Sequence, residues 1–380
     1  MKSSSLSKVN ISTRLLCQEA AEPLKQALQD KSLVPEEATA LLTADEQRAI
    51  PAISKNKALI QEIQNRVQGL PSFHSLLQGD SRNLTHIPDE SVHLVVTSPP
   101  YWNLKEYLKN LNQLGSIADY EKFLQELDRV WQQVWRVLVP GGRLVIVVGD
   151  VCVARRRFGR HMVFPLHASI QEHCRHLGFD NLAPIIWYKI ANASLEAAGN
   201  GTSFLGKPYE PGGVIKNDIE FILMQRKPGG YRSPTLTARV LSVIPETLHR
   251  QWFQQIWQDI KGASTKQHPA PYPLELAERL VRMFSFAGDT VLDPFMGTGT
   301  TCVAAANWGR NSIGVDVEPT YHHLALKRMQ ETYGLRVVYD RTMGEVAESR
   351  DRHPPSPMMC SRKRCRVSGI PASPRHKPRC

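Results

Sequence analysis

The sequence lacks the features of a secreted or a membrane protein. Its seven cysteines are scattered from Cys17 to Cys380 with no CxxC pair, unlike the dense framework of a small disulfide-bonded domain. No uninterrupted apolar run approaches the about 20 residues that a membrane helix needs, and no apolar stretch follows a basic segment at the N-terminus. We therefore expect a protein of a reducing compartment, located in the cytoplasm and without contact with a membrane.

Acidic residues are in the minority. The chain has 47 Lys and Arg against 36 Asp and Glu, a formal net charge of +11, and clustered cations gain free energy by releasing counterions from nucleic acid. This excess indicates a polyanionic partner, with a role in solubility as the alternative. Part of it lies in residues 346–380, a Pro- and Arg-rich tail with too little apolar content to pack, which we expect to be disordered.

The rest of the chain divides by composition into a helical and an α/β part. Residues 1–69 predict a helical extension that packs against the main domain. Residues 70–345 alternate short apolar runs with amphipathic stretches, which is typical of a mostly parallel sheet covered by helices. The strand candidates are Phe73–Leu77, His93–Thr97, Arg143–Val148, Pro184–Lys189, Ile219–Gln225, Thr290–Asp293 and Ser312–Asp316. Helical spacing over residues 120–138 precedes Pro140-Gly141-Gly142, which we expect to end that helix and turn into a strand.

Residues 290–301 read as a buried strand with an acidic end, a glycine-containing turn and the start of a helix. Gly297 and Gly299 let the backbone approach a ligand at the carboxyl edge of a parallel sheet, where such folds bind cofactors. Phe295 and Thr300 belong to the same predicted cofactor loop, and Asp316 closes the next strand, where a carboxylate is expected to bind ribose hydroxyls.

The same turn indicates which cofactor binds. It lacks the third glycine of G-x-G-x-x-G and does not match G-x-x-x-x-G-K-[ST], so a pyrophosphate or triphosphate cradle is not favoured. Asp293 would repel phosphate yet attract the ammonium of a methionyl group. The loop therefore predicts S-adenosyl-L-methionine as the cofactor.

The tetrad Ser98-Pro99-Pro100-Tyr101 follows another buried strand. The two prolines make its backbone rigid and prevent the strand from continuing. An exocyclic amine conjugated to its ring is a poor nucleophile, but the Pro99 carbonyl and Ser98 Oγ can accept both amino protons and direct the lone pair at a sulfonium methyl. Tyr101 offers a flat face for an extruded base. The tetrad predicts direct in-line methylation of an amino group, with a stiff turn as the alternative.

Two other chemistries are disfavoured. Methylation at cytosine C5 needs a Cys nucleophile, whereas no Pro-Cys pair follows a strand and Cys152 has no evident partner base. Asp80, Asp293 and Asp316 are expected at separate strand ends around one ligand, and Cys360, Cys365 and Cys380 lack paired spacing, so neither group predicts a metal site.

Thr97 to Trp102 together with Asp293 to Thr301 resembles the amino-methylating, site-specific DNA methyltransferases, in the permuted (beta) order in which the tetrad precedes the cofactor loop. The resemblance spans residues 76–329. It implies a Rossmann-like methyltransferase domain with a mostly parallel seven-stranded sheet, and double-stranded DNA as the substrate, reached by base flipping. It also implies that Asp80 approaches the cofactor adenine and that His268-Pro269 closes over the methionine moiety.

The resemblance extends to the target base and to possible partners. In this family Ser at the first tetrad position usually goes with cytosine N4, and Asp or Asn with adenine N6, so Ser98 implies N4-methylcytosine. A cognate restriction endonuclease is a possible partner, and association with the nucleoid follows from the DNA substrate. Adenine N6, an RNA substrate and a non-catalytic DNA-binding regulator on the same fold remain alternatives.

Two regions are expected to meet the DNA. Arg155, Arg156, Arg157 and Arg160 follow the strand that ends at Gly149-Asp150, on the sheet edge of the active site, and predict phosphate contacts; a solvated charged face is the alternative. Residues 192–266 are rich in Gly and Pro and interleave aromatic with basic side chains, which predicts a DNA-facing insertion or target-recognition region.

Overall fold

The computed structural model describes residues 22–102, 113–153, 159–160, 162–189, 218–263, 272–333 and 338–342. The α-helices are α1 (Glu36–Ala44), α2 (Glu46–Lys55), α3 (Lys57–Gln68), α4 (Tyr120–Val137), α5 (Leu166–His176), α6 (Leu236–Leu241), α7 (Glu246–Trp252), α8 (Leu274–Phe284), α9 (Thr300–Asn307) and α10 (Pro319–Tyr333). The strands are β1 (His74–Gln78), β2 (Val92–Thr97), β3 (Leu138–Val148), β4 (Val151–Val153), β5 (Met162–Phe164), β6 (Asp180–Tyr188), β7 (Ile219–Arg226), β8 (Ile256–Trp257), β9 (Thr290–Asp293), β10 (Asn311–Asp316) and β11 (Val338–Thr342).

The main sheet confirms the predicted α/β class. Its strand order is β11-β1-β10-β9-β2-β3-β7-β6-β8. β7 runs antiparallel to both β3 and β6, whereas the other neighbouring pairs are parallel. All seven predicted strands are present, and β8 and β11 extend the sheet at its two ends.

The Pro140-Gly141-Gly142 segment lies inside β3, so the prediction that it turns the chain was wrong. α4 ends at Val137 and β3 begins at the next residue. The Gly141 N–H donates to the Lys227 carbonyl (2.9 Å), and the Lys227 N–H donates to the Gly142 carbonyl (3.0 Å). Gly141 has a φ of +77°, so its glycine permits an irregular strand start that pairs with the residue after β7.

Apolar side chains cover both faces of the sheet. Along β2, Val95 belongs to the core under α4 and α5, while Leu94 and Val96 belong to the core under α8 and α9. β3 alternates in the same way, because successive side chains of a strand point to opposite faces. This arrangement buries the strands and leaves their carboxyl ends as the edge available for chemistry.

The N-terminal helices pack against the main domain. Leu24, Ile53 and Ile63 share one apolar cluster with Val240 and Leu241 of α6. β7 and β8 fall within residues 192–266 yet belong to the main sheet, so these strands form part of the fold and not of a peripheral insertion. Residues 190–217 and 264–271 lie outside the described residues, as does the basic tail. None of the described helices is long and apolar enough to cross a membrane.

Candidate active site

The carboxyl ends of β1, β2, β9 and β10 meet at one edge of the sheet, because these strands are parallel neighbours. Hydrogen bonds join the segments that follow them. The Gly79 N–H donates to the Asp316 carbonyl (2.8 Å), which connects β1 with β10. The Ser81 hydroxyl donates to the Pro294 carbonyl, which connects the β1 turn with the cofactor loop. The structure thus brings the described members of the predicted cofactor set to one edge of the sheet.

Two glycines of the cofactor loop adopt left-handed backbone conformations. Gly297 has a φ of +51° and Gly299, the N-cap of α9, has a φ of +78°. A Cβ on Gly299 would also lie 3.1 Å from the Ala325 Cβ. Thr300 follows at the start of α9, where its hydroxyl accepts a hydrogen bond from Arg328 (3.0 Å). Phe295 is partly exposed and meets the Trp131 ring edge-on, with 6.3 Å between centroids. The backbone geometry therefore favours glycine at both positions, while the approach of this backbone to a ligand stays a prediction.

Asp316 ends β10 with a carboxylate that retains acceptor capacity. Its Oδ1 accepts from the Glu318 N–H (2.8 Å) and its Oδ2 from the Gly297 N–H (2.9 Å), and a carboxylate has sites for about four donors. Burial raises the pKa of this carboxyl to about 7, and the negative charges of Asp293 and Glu318 add to the shift. A ligand that brings hydroxyl donors to Asp316 would offset this desolvation.

Asp293 lies at the end of β9, is only 1% exposed and connects the two motifs. Its Oδ1 accepts from the Thr97 hydroxyl (2.7 Å) and the Phe295 N–H (3.1 Å). Its Oδ2 accepts from the hydroxyls of Thr301 (2.7 Å) and Tyr272 (3.0 Å). Burial raises the pKa of Asp293, while these donors oppose the shift. The carboxylate is thus surrounded by protein donors in this structure, and it positions the tetrad strand relative to the cofactor loop.

The tetrad follows β2 with its polar groups close together. Ser98 Oγ lies 3.3 Å from the Tyr101 hydroxyl, which in turn lies 3.4 Å from the Val147 carbonyl. Ser98 is half-buried and Pro99 is buried. Tyr101 is 6% exposed and belongs to the core under α4, and its role as a stacking face for a base stays a prediction.

The residue after the tetrad has an unusual backbone. Trp102 has a φ of +46°, a conformation that non-glycine residues adopt only when their surroundings hold them there. Its indole N–H donates to the Ile117 carbonyl (2.9 Å), and its ring meets those of Tyr120 and Phe164 edge-on. These contacts hold the chain where it leaves the tetrad.

The turn after β1 is held by an ion pair. The Asp80 carboxylate accepts from the Arg82 guanidinium (2.6 Å) and from the Arg82 N–H (2.9 Å). Arg82 also contacts Glu126 of α4. The proximity of Asp80 to the cofactor loop agrees with the expected location, and its contact with the adenine stays a prediction.

Sequence reasoning did not identify a charged pair beside the tetrad. Glu220 on β7 is 5% exposed and forms an ion pair with Lys189. A Cβ on Gly149 would lie 3.3 Å from the Glu220 Cγ and 3.5 Å from the Tyr101 Cε2, so these side chains are neighbours. The sequence signal for Glu220 was a single acidic residue in an apolar strand, but only the register of the sheet shows which side chains Glu220 faces.

The predicted DNA-binding arginines fall largely outside the described residues, which exclude Arg155, Arg156 and Arg157, together with the cofactor candidates His268 and Pro269. Arg160 is described, and it lies exposed between β4 and β5. These two strands form an antiparallel hairpin that follows the carboxyl end of β3. Arg160 thus lies beyond the active-site edge of β3, where phosphate contact stays a prediction.

Comparisons with known proteins agree with this site. A family model described as DNA methylase, of the N6/N4 type, matches residues 92–327. The type II methyltransferase M.MjaI of Methanocaldococcus jannaschii is 38% identical over 276 residues, which cover 64% of this chain and 87% of the relative. M.MthZI of Methanothermobacter thermautotrophicus, also a type II methyltransferase, is 33% identical over 289 residues, which cover 70% of this chain and 79% of the relative.

A solved structure of a protein with the same assignment is also similar to this chain. TTHA0409 of Thermus thermophilus, provisionally assigned as a DNA modification methylase, was crystallised in complex with S-adenosyl-L-methionine. It is 56% identical in sequence, with a TM-score of 0.59, and the match covers 71% of this chain and 98% of that protein. The family match spans both the tetrad and the cofactor loop, and the chain therefore belongs to the N6/N4 DNA methylase family.

Proposed function

We propose that this DNA methylase transfers a methyl group from S-adenosyl-L-methionine to the exocyclic N4 amino group of cytosine in duplex DNA. The observation that carries the choice of base is Ser98 at the first tetrad position, with its Oγ 3.3 Å from the Tyr101 hydroxyl. A serine hydroxyl at this point accepts an amino proton without bringing a negative charge to the base.

The residues of the cofactor loop fit S-adenosyl-L-methionine, the methyl donor of the enzyme. Asp316 has acceptor sites left for ribose hydroxyls, and its burial makes added donors favourable. Gly297 donates its N–H to that carboxylate and keeps the adjacent backbone free of a Cβ atom, and Gly299 supplies the second left-handed residue of the loop. When bound, the cofactor supplies an electrophilic methyl group on a sulfonium.

The tetrad acts on the amino group of the base. In the proposed mechanism the Pro99 carbonyl and Ser98 Oγ accept hydrogen bonds from the two amino protons, which directs the nitrogen lone pair toward the methyl carbon. A nitrogen–carbon bond forms as the carbon–sulfur bond breaks, and the sulfur keeps the electron pair. The methylated amine then loses one proton to solvent. Because the lone pair attacks directly, no covalent enzyme intermediate is needed.

The target base must leave the duplex to reach Ser98. Base flipping exposes the amino group, and aromatic side chains commonly stack on the extruded base. Tyr101 has this role in the proposal, which requires the ring to become more exposed than the 6% of this structure. Arg155, Arg156, Arg157 and Arg160 would hold the phosphates, and the type II methyltransferase relatives support a restriction endonuclease as the partner.

Nucleoside mass spectrometry of DNA from cells expressing this chain tests the proposal. We expect N4-methylcytosine, and markedly less of it from matched cells that express Ser98→Ala. N6-methyladenine without N4-methylcytosine would show that the base assignment is wrong. Methylation of neither base, together with no transfer of tritiated methyl to DNA in vitro, would favour the non-catalytic regulator.

A further inference from the structure

A cavity lies at the sheet edge opposite the tetrad. Its volume is about 790 Å³, and its walls include Lys55 of α2, Arg143 of β3, Arg226 of β7 and Arg282 of α8. Arg143 pairs with Arg226 in the sheet, five residues before the carboxyl end of β3. At about 3.3 Å per residue this is roughly 17 Å along the strand. The cavity is therefore separate from the cofactor loop and the tetrad.

The lining of this cavity is strongly cationic. Among the described residues, seven lysine and arginine side chains line it against one carboxylate, that of Glu246. Arg226 is paired with Asp180 (2.8 Å), Arg232 with Asp289 (2.6 Å) and Arg250 with Glu246 (2.8 Å). Positive charge thus remains in excess over the acidic partners, and such a concave surface concentrates anions.

Three of these arginines lie against aromatic rings, Arg232 over Phe286 among them. The Arg143 guanidinium carbon is 5.0 Å from the centroid of Phe284, and that of Arg282 is 3.7 Å from the centroid of Trp308. Neither forms an ion pair with a carboxylate of the described residues. Burial lowers the pKa of both side chains, that of Arg282 to about 10. An anion in the cavity would relieve the desolvation that these cations carry.

Aromatic surface accompanies the charge. Phe284 and Phe286 both line the cavity, and Tyr231 at its rim is 92% exposed. An exposed tyrosine of this kind offers a flat face for a heterocyclic ring, while guanidinium groups bind phosphate through paired N–H donors. Cationic donors and aromatic faces in one cavity are suited to a ligand that has both a ring and a phosphate.

We propose that this cavity is a second ligand site, which binds a phosphate-bearing small molecule of nucleotide size. Its volume falls in the range of about 300–1,000 Å³ that is typical of small-molecule pockets. DNA is the less suitable occupant because a duplex held at the tetrad lies at the opposite edge of the sheet. The site lies outside the cofactor loop, so its ligand and the methyl donor do not compete for the same space.

Isothermal titration calorimetry with adenosine diphosphate and with inorganic pyrophosphate tests this proposal. The protein is first saturated with S-adenosyl-L-homocysteine so that the cofactor loop is blocked. We expect binding of one adenosine diphosphate, weakened about tenfold or more by Arg143→Gln. Arg250 is exposed, so Arg250→Gln should weaken the binding of adenosine diphosphate by about threefold. This variant tests the proposal if Arg143→Gln does not fold. Arg175→Gln removes the same charge from α5, where Arg175 pairs with Glu172, and should leave affinity unchanged.

Three results would overturn the proposal. The first is that neither probe binds at millimolar concentration. The second is that adenosine diphosphate binds only when S-adenosyl-L-homocysteine is left out, which would place that binding at the cofactor loop. The third is that Arg143→Gln weakens the binding of a short DNA duplex as much as that of adenosine diphosphate, which would make the cavity part of the DNA surface. Adenosine diphosphate should bind more tightly than pyrophosphate, because Phe284, Phe286 and Tyr231 offer aromatic contacts to the nucleoside.

Discussion

Cofactor affinity should depend on pH through Asp316. Burial raises the pKa of its carboxyl to about 7 in the free protein, and ribose hydroxyls bind best to the ionised form. With that pKa, about nine tenths of the carboxyl groups are ionised at pH 8 and about one tenth at pH 6. The affinity for S-adenosyl-L-homocysteine should therefore be about tenfold lower at pH 6 than at pH 8, which corresponds to about 1.4 kcal/mol.

The direction of this pH dependence follows from the protons that Asp316 holds before and after the ligand binds. Below pH 7 the free protein holds a proton on Asp316, and a ligand that needs the carboxylate must release it, so affinity falls as the pH falls. The same raised pKa acts oppositely on the free fold. Its stability declines as the pH rises from the ordinary range of an aspartate through about 7, because the ionised carboxylate is poorly solvated.

Calorimetric titration measures the affinity and the number of protons released on binding. Titrations in buffers of different ionisation enthalpy give the number of protons released, which should approach one at pH 6 and vanish at pH 8. Asp316→Asn, which cannot ionise, should bind more weakly and lose the proton release that belongs to Asp316. Equal affinity of the natural protein at pH 6 and pH 8 would refute the assigned role, as would an unchanged pH dependence in Asp316→Asn.

Three further predictions concern the tetrad and the cofactor loop. Ser98→Ala should lower methyl transfer by about tenfold or more with cofactor affinity preserved, because the hydroxyl acts on the transferring centre; equal activity in a tritiated-methyl assay would contradict this. Asp293→Ala should abolish cofactor binding in calorimetry and cost about 3 kcal/mol in chemical denaturation, since it leaves Thr97 and other buried donors unpaired. Gly299→Ala should destabilise the fold by about 1–3 kcal/mol, because its φ of +78° and the Ala325 Cβ at 3.1 Å both oppose a side chain. Gly159→Ala is the matched control: its φ is +71° with nothing within 4 Å of the added Cβ, so it should lower the thermal midpoint less.

The buried strands could be predicted because each has a recognisable local sequence pattern. β9 and β2 are short apolar runs bounded by polar or turn residues, and such runs identify buried parallel strands. β8 has only two residues, Ile256 and Trp257, too few for any periodic pattern. The glycines at 141 and 142 have the composition of a turn, yet their pairing with Lys227 keeps them in β3. Contacts with a distant strand overrode the local preference there.

The motifs of the active site could be predicted from the sequence, but the hydrogen bonds that join them could not. The tetrad and the glycine loop have distinctive local sequences, and their meeting follows from parallel strand ends. The hydrogen-bond donors of Asp293 could not be predicted in this way, because no motif marks Tyr272 or Thr301 as its partners. The cationic cavity is hidden for the same reason, because Lys55 and Arg282 are far apart in sequence and become neighbours only through packing.

The bond between Thr97 and Asp293 has a consequence for the order in which the protein is made. The two residues are separated by 196 positions, so a ribosome synthesises the tetrad strand long before the acceptor that fixes its end. A nascent chain that stops before β9 also lacks Asp316 and the glycine loop. Methylation activity should therefore arise only late in translation, and fragments released early should leave the DNA of the cell unmodified.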